Sequence, residues 1–286
     1  MFAHDLFTRN GINFVHVPCD DINESRFMGE PGKEDGLAPL IIRLDKALEL
    51  EKDAGRKVAA ILLANPENPL GRCYSWTVLS QVIDLCSQHG VHLVVDEIYA
   101  ISGGPRFNSI LSVVGDQSRK IVHILWGMSK DFGLGGIRLG FLATYNTQLY
   151  DTMRTHSVLN WVAAFSARVA TNLLLDTQYF ENYYKPRYHA ALHQRRTCVR
   201  KALDAHGVGY FSSEAGFVMF VNLGRRLDNL PHKGHKGRDN EELDLLEYLM
   251  GNGVFLEPGQ ITLFSFTRLS VIWLRLSSER ATSATI

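Results

Sequence analysis

An α/β fold, with a mostly parallel sheet covered by helices on both faces, is predicted by three features of this sequence. Short, nearly continuous apolar runs recur at Val58–Ala64, Val91–Val95, Ile121–Trp126 and Leu139–Thr144. A capped helical pattern lies between the first two. The second and third runs end directly on charged or glycine-rich residues instead of on ordinary turns. Runs this apolar read as buried strands, and alternation with helices makes a parallel sheet the economical way to bury them. In such sheets ligands bind beyond the carboxyl ends of the strands.

The elements follow in order. Val58–Ala64 is too short for a helix and stops at the Asn-Pro pairs of Asn65–Gly71. Ser75 opens a helical pattern that puts Val78, Leu79, Val82, Ile83 and Cys86 on one face, and Gly90 stands where a C-terminal cap belongs. Val91–Val95 ends on Asp96-Glu97, and Ile121–Trp126 ends on Gly127-Met128-Ser129-Lys130. From Thr147 to Ala205 the pattern is helical, with Tyr179–Arg196 rich in Tyr, His and Arg. After Gly207 the texture changes. Gly216–Val221 reads as a strand, Asp228–Glu241 as a polar loop and Glu242–Met250 as a helix, followed by an irregular tail. The change of texture places a domain boundary near residue 187, giving a larger unit over 1–186 and a smaller α+β unit over 187–286.

Composition narrows the function classes. The 30 basic residues balance 30 acidic ones, so nothing supplies the basic face of a nucleic-acid binder, and a small molecule is the expected partner. Cys19, Cys73, Cys86 and Cys198 are far apart and form no CxxC pair, which favours free thiols in a reducing compartment over disulfides or a zinc site. No apolar run is long enough to span a bilayer, and no basic-then-apolar leader opens the chain. These features point to a cytoplasmic protein. Neither GxGxxG nor GxxxxGK[ST] follows a strand, which argues against a nucleotide-binding α/β protein.

Lys130 is the chemically pointed residue. Its ordinary reading is a solvent-facing lysine at a strand end. The glycines after it let backbone approach a ligand closely, and Arg138, eight residues later, can clamp a phosphate in bidentate fashion. Burial or neighbouring cations can make a lysine amine neutral enough for Schiff-base chemistry.

Ser129-Lys130-Asp131-Phe132-Gly133-Leu134-Gly135-Gly136-Ile137-Arg138 resembles the SK-x-x-G-L-x-G-x-R signature of the class I/II aminotransferases, enzymes that use pyridoxal 5'-phosphate (PLP). Together with Asn65-Pro66-Glu67-Asn68-Pro69-Leu70-Gly71 and Asp96-Glu97-Ile98-Tyr99, it is closest in phrasing to the 1-aminocyclopropane-1-carboxylate (ACC) synthase-like branch. The three motifs stand in that family's order and spacing, and the resemblance runs over essentially the whole chain. It implies the fold type I architecture of PLP-dependent transferases.

The resemblance also implies roles. Lys130 would hold the cofactor through a Schiff base and later act as general base at the substrate Cα. Asp96 would pair with the pyridine nitrogen, and Tyr99 and Asn68 would hydrogen-bond the phenolate oxygen. Ser129 and Arg138 belong to the cofactor-binding signature, with Arg138 on the phosphate. Arg275, in Trp273-Leu274-Arg275-Leu276, resembles the arginine that grips a substrate α-carboxylate, with Arg268 nearby and a surface ion pair as the plainer alternative. The implied function is that of a homodimeric enzyme acting on an α-amino acid by transamination, ACC-synthase-type elimination or carbon–sulfur lysis. Two departures stand out. Gly127 occupies a place where many relatives carry a phosphate-binding serine. The family's N-terminal glycine turn and ring-stacking aromatic have no counterpart ahead of Asn65, so the sequence reads as an N-terminally truncated member. The alternative is a catalytically inactive remnant kept as an interaction module.

Overall fold

The computed structural model describes residues 12–17, 38–223, 238–258 and 269–273. Helix α1 (Pro39–Asp53) begins with proline, whose missing N–H is harmless in a first turn, and turns Leu40, Ile41, Leu44 and Leu48 inward. After β1 (Ala60–Ala64) comes α2 (Trp76–His89), which starts and stops where its capping residues predict. The Ser75 side chain accepts a hydrogen bond from the Val78 N–H at 3.2 Å, and Gly90 closes the helix in the left-handed region at φ 65°. Next are β2 (His92–Asp96), a 3-10 segment (Ile101–Arg106), the short α3 (Ile110–Val113), β3 (Val122–Gly127) and β4 (Gly140–Thr144).

These four strands form one sheet in the order β1-β2-β3-β4. β1, β2 and β3 are parallel, and β4 runs antiparallel to β3. The reversal has a local cause: a parallel return needs a crossover element, normally a helix, and the chain between β3 and β4 forms only turns and one 3-10 segment. Along β1 and β2 burial alternates instead of being continuous. Ile61, Leu63, Leu93, Val95 and Ile124 pack with α1 and α2 in the main core, whereas Leu62 and Leu125 remain over a third exposed. Ala64 lies opposite Asp96, and Asp96 opposite Leu125, so the three parallel strands end level with one another. The Asn65, Asp96 and Lys130 segments all emerge from that edge.

The helical stretch after β4 comprises α4 (Thr147–Ser157), α5 (Ala164–Leu175), α6 (Thr177–Tyr179), a π-helical turn (Phe180–Tyr184) and α7 (Lys185–Ala205). Residue 187 falls in the first turn of α7. A second, antiparallel sheet follows, built from β5 (Gly209–Tyr210), β6 (Val218–Asn222), β7 (Glu257–Pro258) and β8 (Leu269–Trp273) in the order β5-β6-β8-β7. Two expectations are corrected here. Helix α8 runs over Arg238–Gly251, so Arg238–Glu241 is helix, not loop; polar composition alone does not separate the first turn of a helix from a loop. The tail is not wholly irregular, because β8 finds its partner in β6, nearly fifty residues earlier in the chain, a pairing that no local pattern encodes.

Candidate active site at the carboxyl ends of the parallel strands

Asp96 closes β2 half-buried, and its Oδ1 accepts the Ile98 N–H at 3.1 Å, the short side-chain turn that swings the backbone out of the strand. Burial pushes its carboxyl above the ordinary range, while the Ile98 amide and the Lys130 ammonium pull against that shift. Tyr99 is buried on the same turn, with its ring edge-on to Phe217 at 5.3 Å. Lys130 Nζ lies 5.8 Å from the centroid of the Tyr99 ring, within cation–π reach. Lys130, Asp96 and Tyr99 thus converge from two adjacent strand ends. Glu97 faces the other way: its Oε1 accepts the Ile110 N–H at 2.7 Å and its Oε2 the Ser109 hydroxyl at 2.8 Å, which anchors the segment under the site.

The remaining predicted residues are placed differently. Ser129 is half-buried beside Lys130. Arg138 is exposed in the left-handed region at φ 53°, and its Nη1 donates to the Gly135 carbonyl at 3.1 Å, so it folds back on its own loop. Asn68 is exposed on the turn after β1, whereas Asn65 is fully buried. Asn65 Nδ2 donates to the Asn108 carbonyl at 3.0 Å and its Oδ1 accepts the Tyr74 N–H at 3.1 Å, which makes it the residue that closes this turn. Both Asn-Pro bonds are cis. At Gly127 a Cβ would meet the Leu139 carbonyl oxygen at 3.2 Å, so the strand pairing leaves little room for a serine there. Arg275 and Arg268 lie outside the described residues, as does Cys19. Cys73, Cys86 and Cys198 are free thiols, and burial pushes Cys73 and Cys86 up to about 12.

One polar cluster beside Lys130 was not anticipated. Asp131 is 1% exposed, and burial pushes its carboxyl up to about 6 against the pull of three donors, the Ile101 and Ser102 amides and the Tyr188 hydroxyl. The Tyr184 hydroxyl donates to the Asp131 carbonyl oxygen. The available signals were an acid directly after the lysine and the tyrosine-rich stretch Tyr179–Arg196. Neither says that the two would meet, since 57 residues separate Asp131 from Tyr188.

A mixed sheet with parallel strands flanked by helices, with Lys130 after β3 and Asp96 closing β2, matches the fold type I architecture of PLP-dependent transferases. The chain superposes on Thermus thermophilus aspartate aminotransferase with maleate at a TM-score of 0.67, with 20% identity, over 83% of this chain and 56% of that one. It also superposes on the PLP-bound C-S lyase from Staphylococcus hominis at 0.66, with 18% identity, over 82% and 57%. The family model for aminotransferase class I and II matches residues 4–282, and the chain belongs to that family. It is 28% identical over 239 residues to 1-aminocyclopropane-1-carboxylate synthase 7 of Arabidopsis thaliana, covering 82% of this chain and 51% of that protein. It is 30% identical over 221 residues to the human 1-aminocyclopropane-1-carboxylate synthase-like protein 1, covering 76% and 43%. It is also 30% identical over 184 residues to the mouse probable inactive 1-aminocyclopropane-1-carboxylate synthase-like protein 2, covering 63% and 32%. The chain therefore spans about half the length, or less, of these curated relatives. Among the described residues no helix is long and apolar enough to cross a membrane.

Proposed function

We propose that the chain carries the cofactor site of a PLP-dependent enzyme acting on an α-amino acid, with aminotransferase, ACC-synthase-like or C–S lyase chemistry, and that Lys130 Nζ holds the cofactor as a Schiff base. The observation that carries this reading is the convergence of a lysine amine, a half-buried carboxylate and a buried phenol, Lys130, Asp96 and Tyr99, at the carboxyl ends of β2 and β3. That donor set fits the cofactor: an amine for its aldehyde, an anion for its ring nitrogen and a hydroxyl for its phenolate oxygen. The phosphate end fits less fully, since Gly127 offers no hydroxyl and Arg138 must leave the Gly135 carbonyl to reach an anion.

Bound there, the cofactor would supply an electron sink for the pair released at the substrate Cα. Asp96 would hold a proton on the ring nitrogen by pairing with it, its half-buried carboxylate strengthening that interaction. Tyr99 and Asn68 would donate hydrogen bonds to the phenolate oxygen, and Ser129 and Arg138 would bind phosphate. Lys130 would remove the Cα proton once the substrate amine has taken its place. Arg275 would grip the substrate carboxylate. In this reading residues 1–186 form the cofactor-binding unit and 187–286 the smaller unit, a division supported by two separate sheets. The active form is a homodimer in the cytoplasm, where free thiols persist.

A second reading, a catalytically inactive interaction module, is favoured by Gly127 offering a phosphate no hydroxyl and by Arg138 being bonded to its own loop. One experiment separates the two. Visible spectra of the purified chain with added PLP are recorded beside Lys130→Ala, before and after borohydride. A band fixed by borohydride onto Lys130 and absent from the variant supports the enzyme reading; wild type and variant alike without it would leave the inactive module.

A further inference from the structure

Asp131 follows Lys130 directly, yet it is buried where Lys130 is half-open. A carboxylate that deep persists only when its oxygens are satisfied. Oδ2 accepts the Ile101 N–H at 2.7 Å; Oδ1 accepts the Ser102 N–H at 3.3 Å and the Tyr188 hydroxyl at 2.9 Å. The donors come from two places. Ile101 and Ser102 lie two and three residues beyond Tyr99, and the Ser102 hydroxyl donates back to the Tyr99 carbonyl. Tyr188 belongs to α7, and Tyr184, one turn earlier, both donates to the Asp131 carbonyl and stacks on Phe132 at 5.0 Å between centroids.

The side chain and the carbonyl of the residue next to Lys130 are therefore both held, the first against the Tyr99 turn and the second against the aromatic rungs leading into α7. The chain that follows holds Gly133, at φ 64°, together with Gly135 and Gly136, residues that by themselves leave a loop conformationally free. The Ser102 hydroxyl also accepts the Gly216 N–H at 2.7 Å, which extends the same network to the turn before β6.

We infer that Asp131 is the positioning residue of Lys130: by bonding the Ile101 and Ser102 amides it fixes the distance between the lysine-bearing loop and the Tyr99 turn, and Tyr188 of α7 and Tyr184 of the π-helical turn before it lock it in place. The inference rests on Lys130 being the cofactor-bearing amine only for its consequence, not for its geometry. A merely structural Asp131 would matter for stability and leave the chemistry of Lys130 unchanged in any variant that folds.

The test uses the full chain as wild type, Asp131→Ala, Asp131→Asn and Tyr188→Phe, each checked for folding by circular dichroism. Reductive methylation by formaldehyde and cyanoborohydride is followed at Lys130 by peptide mass spectrometry, normalised in the same tube to exposed Lys52 and Lys120. In parallel, PLP fixed on Lys130 by borohydride is quantified at limiting PLP. For Asp131→Ala the normalised Lys130 rate changes by about tenfold, and fixed cofactor falls by a similar factor, the scale expected when a reactive group is misplaced by about half an ångström, a full ångström costing about a hundredfold. Asp131→Asn, which keeps one acceptor oxygen, gives an intermediate change, and Tyr188→Phe, which removes one donor of three, the smallest.

A folded Asp131→Ala with the wild-type methylation ratio overturns the inference, as does, where the wild type fixes cofactor, a changed ratio with unchanged fixation. If the alanine variant does not fold, Asp131→Asn and then Tyr188→Phe decide by the same criteria. A wild type that fixes no cofactor while the ratio still moves with the substitutions sinks the cofactor reading and leaves the positioning role standing.

Discussion

Two asparagines three positions apart divide structure from chemistry. Asn65 is fully buried and bonds both Asn108 and Tyr74, whereas Asn68 is exposed. Asn65→Ala should therefore cost about 2–3 kcal/mol, because it strands the Tyr74 N–H in the interior. Asn68→Ala should change stability by less than about 0.5 kcal/mol while altering any Lys130-dependent visible band. Urea unfolding and spectra on the same two variants check both halves. Gly71 lies at the end of the same turn at φ 67°, and a Cβ there would lie 2.1 Å from Ser213 Oγ. Its carbonyl accepts the Glu214 and Ala215 amides at 2.7 Å. Gly71→Ala is thus expected to lose about 3 kcal/mol from backbone strain and overpacking together, measurable as a lower denaturation midpoint. The sequence marks Gly71 as special, but the reason is an approach from a segment some 140 residues away.

At the scale of elements, α2 is the clearest case of local information sufficing. Ser75 and Gly90 end it where cap chemistry predicts, and Ser75→Ala should cost about 1 kcal/mol by thermal or chemical unfolding. β2 and β3 carry a pair that pattern reading passes over as strand filler. His92 Nδ1 lies 2.9 Å from His123 Nε2, and His123 Nδ1 lies 2.8 Å from Thr144 Oγ1, which links three strands. Burial, then the neighbouring His92, lowers the His123 pKa. The fold thus favours neutral His123, so its contribution is complete above the unfolded value of about 6.5 and is lost as pH falls below it. The wild type should lose more stability than His123→Asn between pH 7.5 and pH 5.5, and equal losses would refute the assignment. β4 was legible as a strand from its composition, but its direction was not, because direction depends on what the intervening chain becomes.

At the scale of the whole molecule, α7 does the joining. Its first turn, with the π-helical turn before it, reaches the Lys130 loop through Tyr188 and Tyr184, and further along Arg196 donates to the Gly216 carbonyl and Arg200 to the Ser213 carbonyl. Between α4 and α5, Leu159 and Trp161 are each 82% exposed, with Phe165 at 75% just beyond. Exposed apolar side chains like these are what an association surface would use, and the proposed homodimer assigns them that use. Trp161→Asp should convert a dimer to a monomer in analytical ultracentrifugation; a wild type that sediments as a monomer would count against the dimer.

What the sequence determined by itself is what depends on near neighbours: the strand runs, the caps of α2, the three motifs and their order, and so the family. The placing of Lys130, Asp96 and Tyr99 side by side was legible because each sits at, or within a few residues of, the end of an apolar strand run. Tertiary structure alone decided the antiparallel return of β4, the burial of Asn65 rather than Asn68, the pairing of β6 with β8, and the clasp of Asp131 by Ile101, Ser102 and Tyr188. These contacts join residues far apart in the chain, and their geometry follows from how helices and sheet fill space together, which local propensity does not encode.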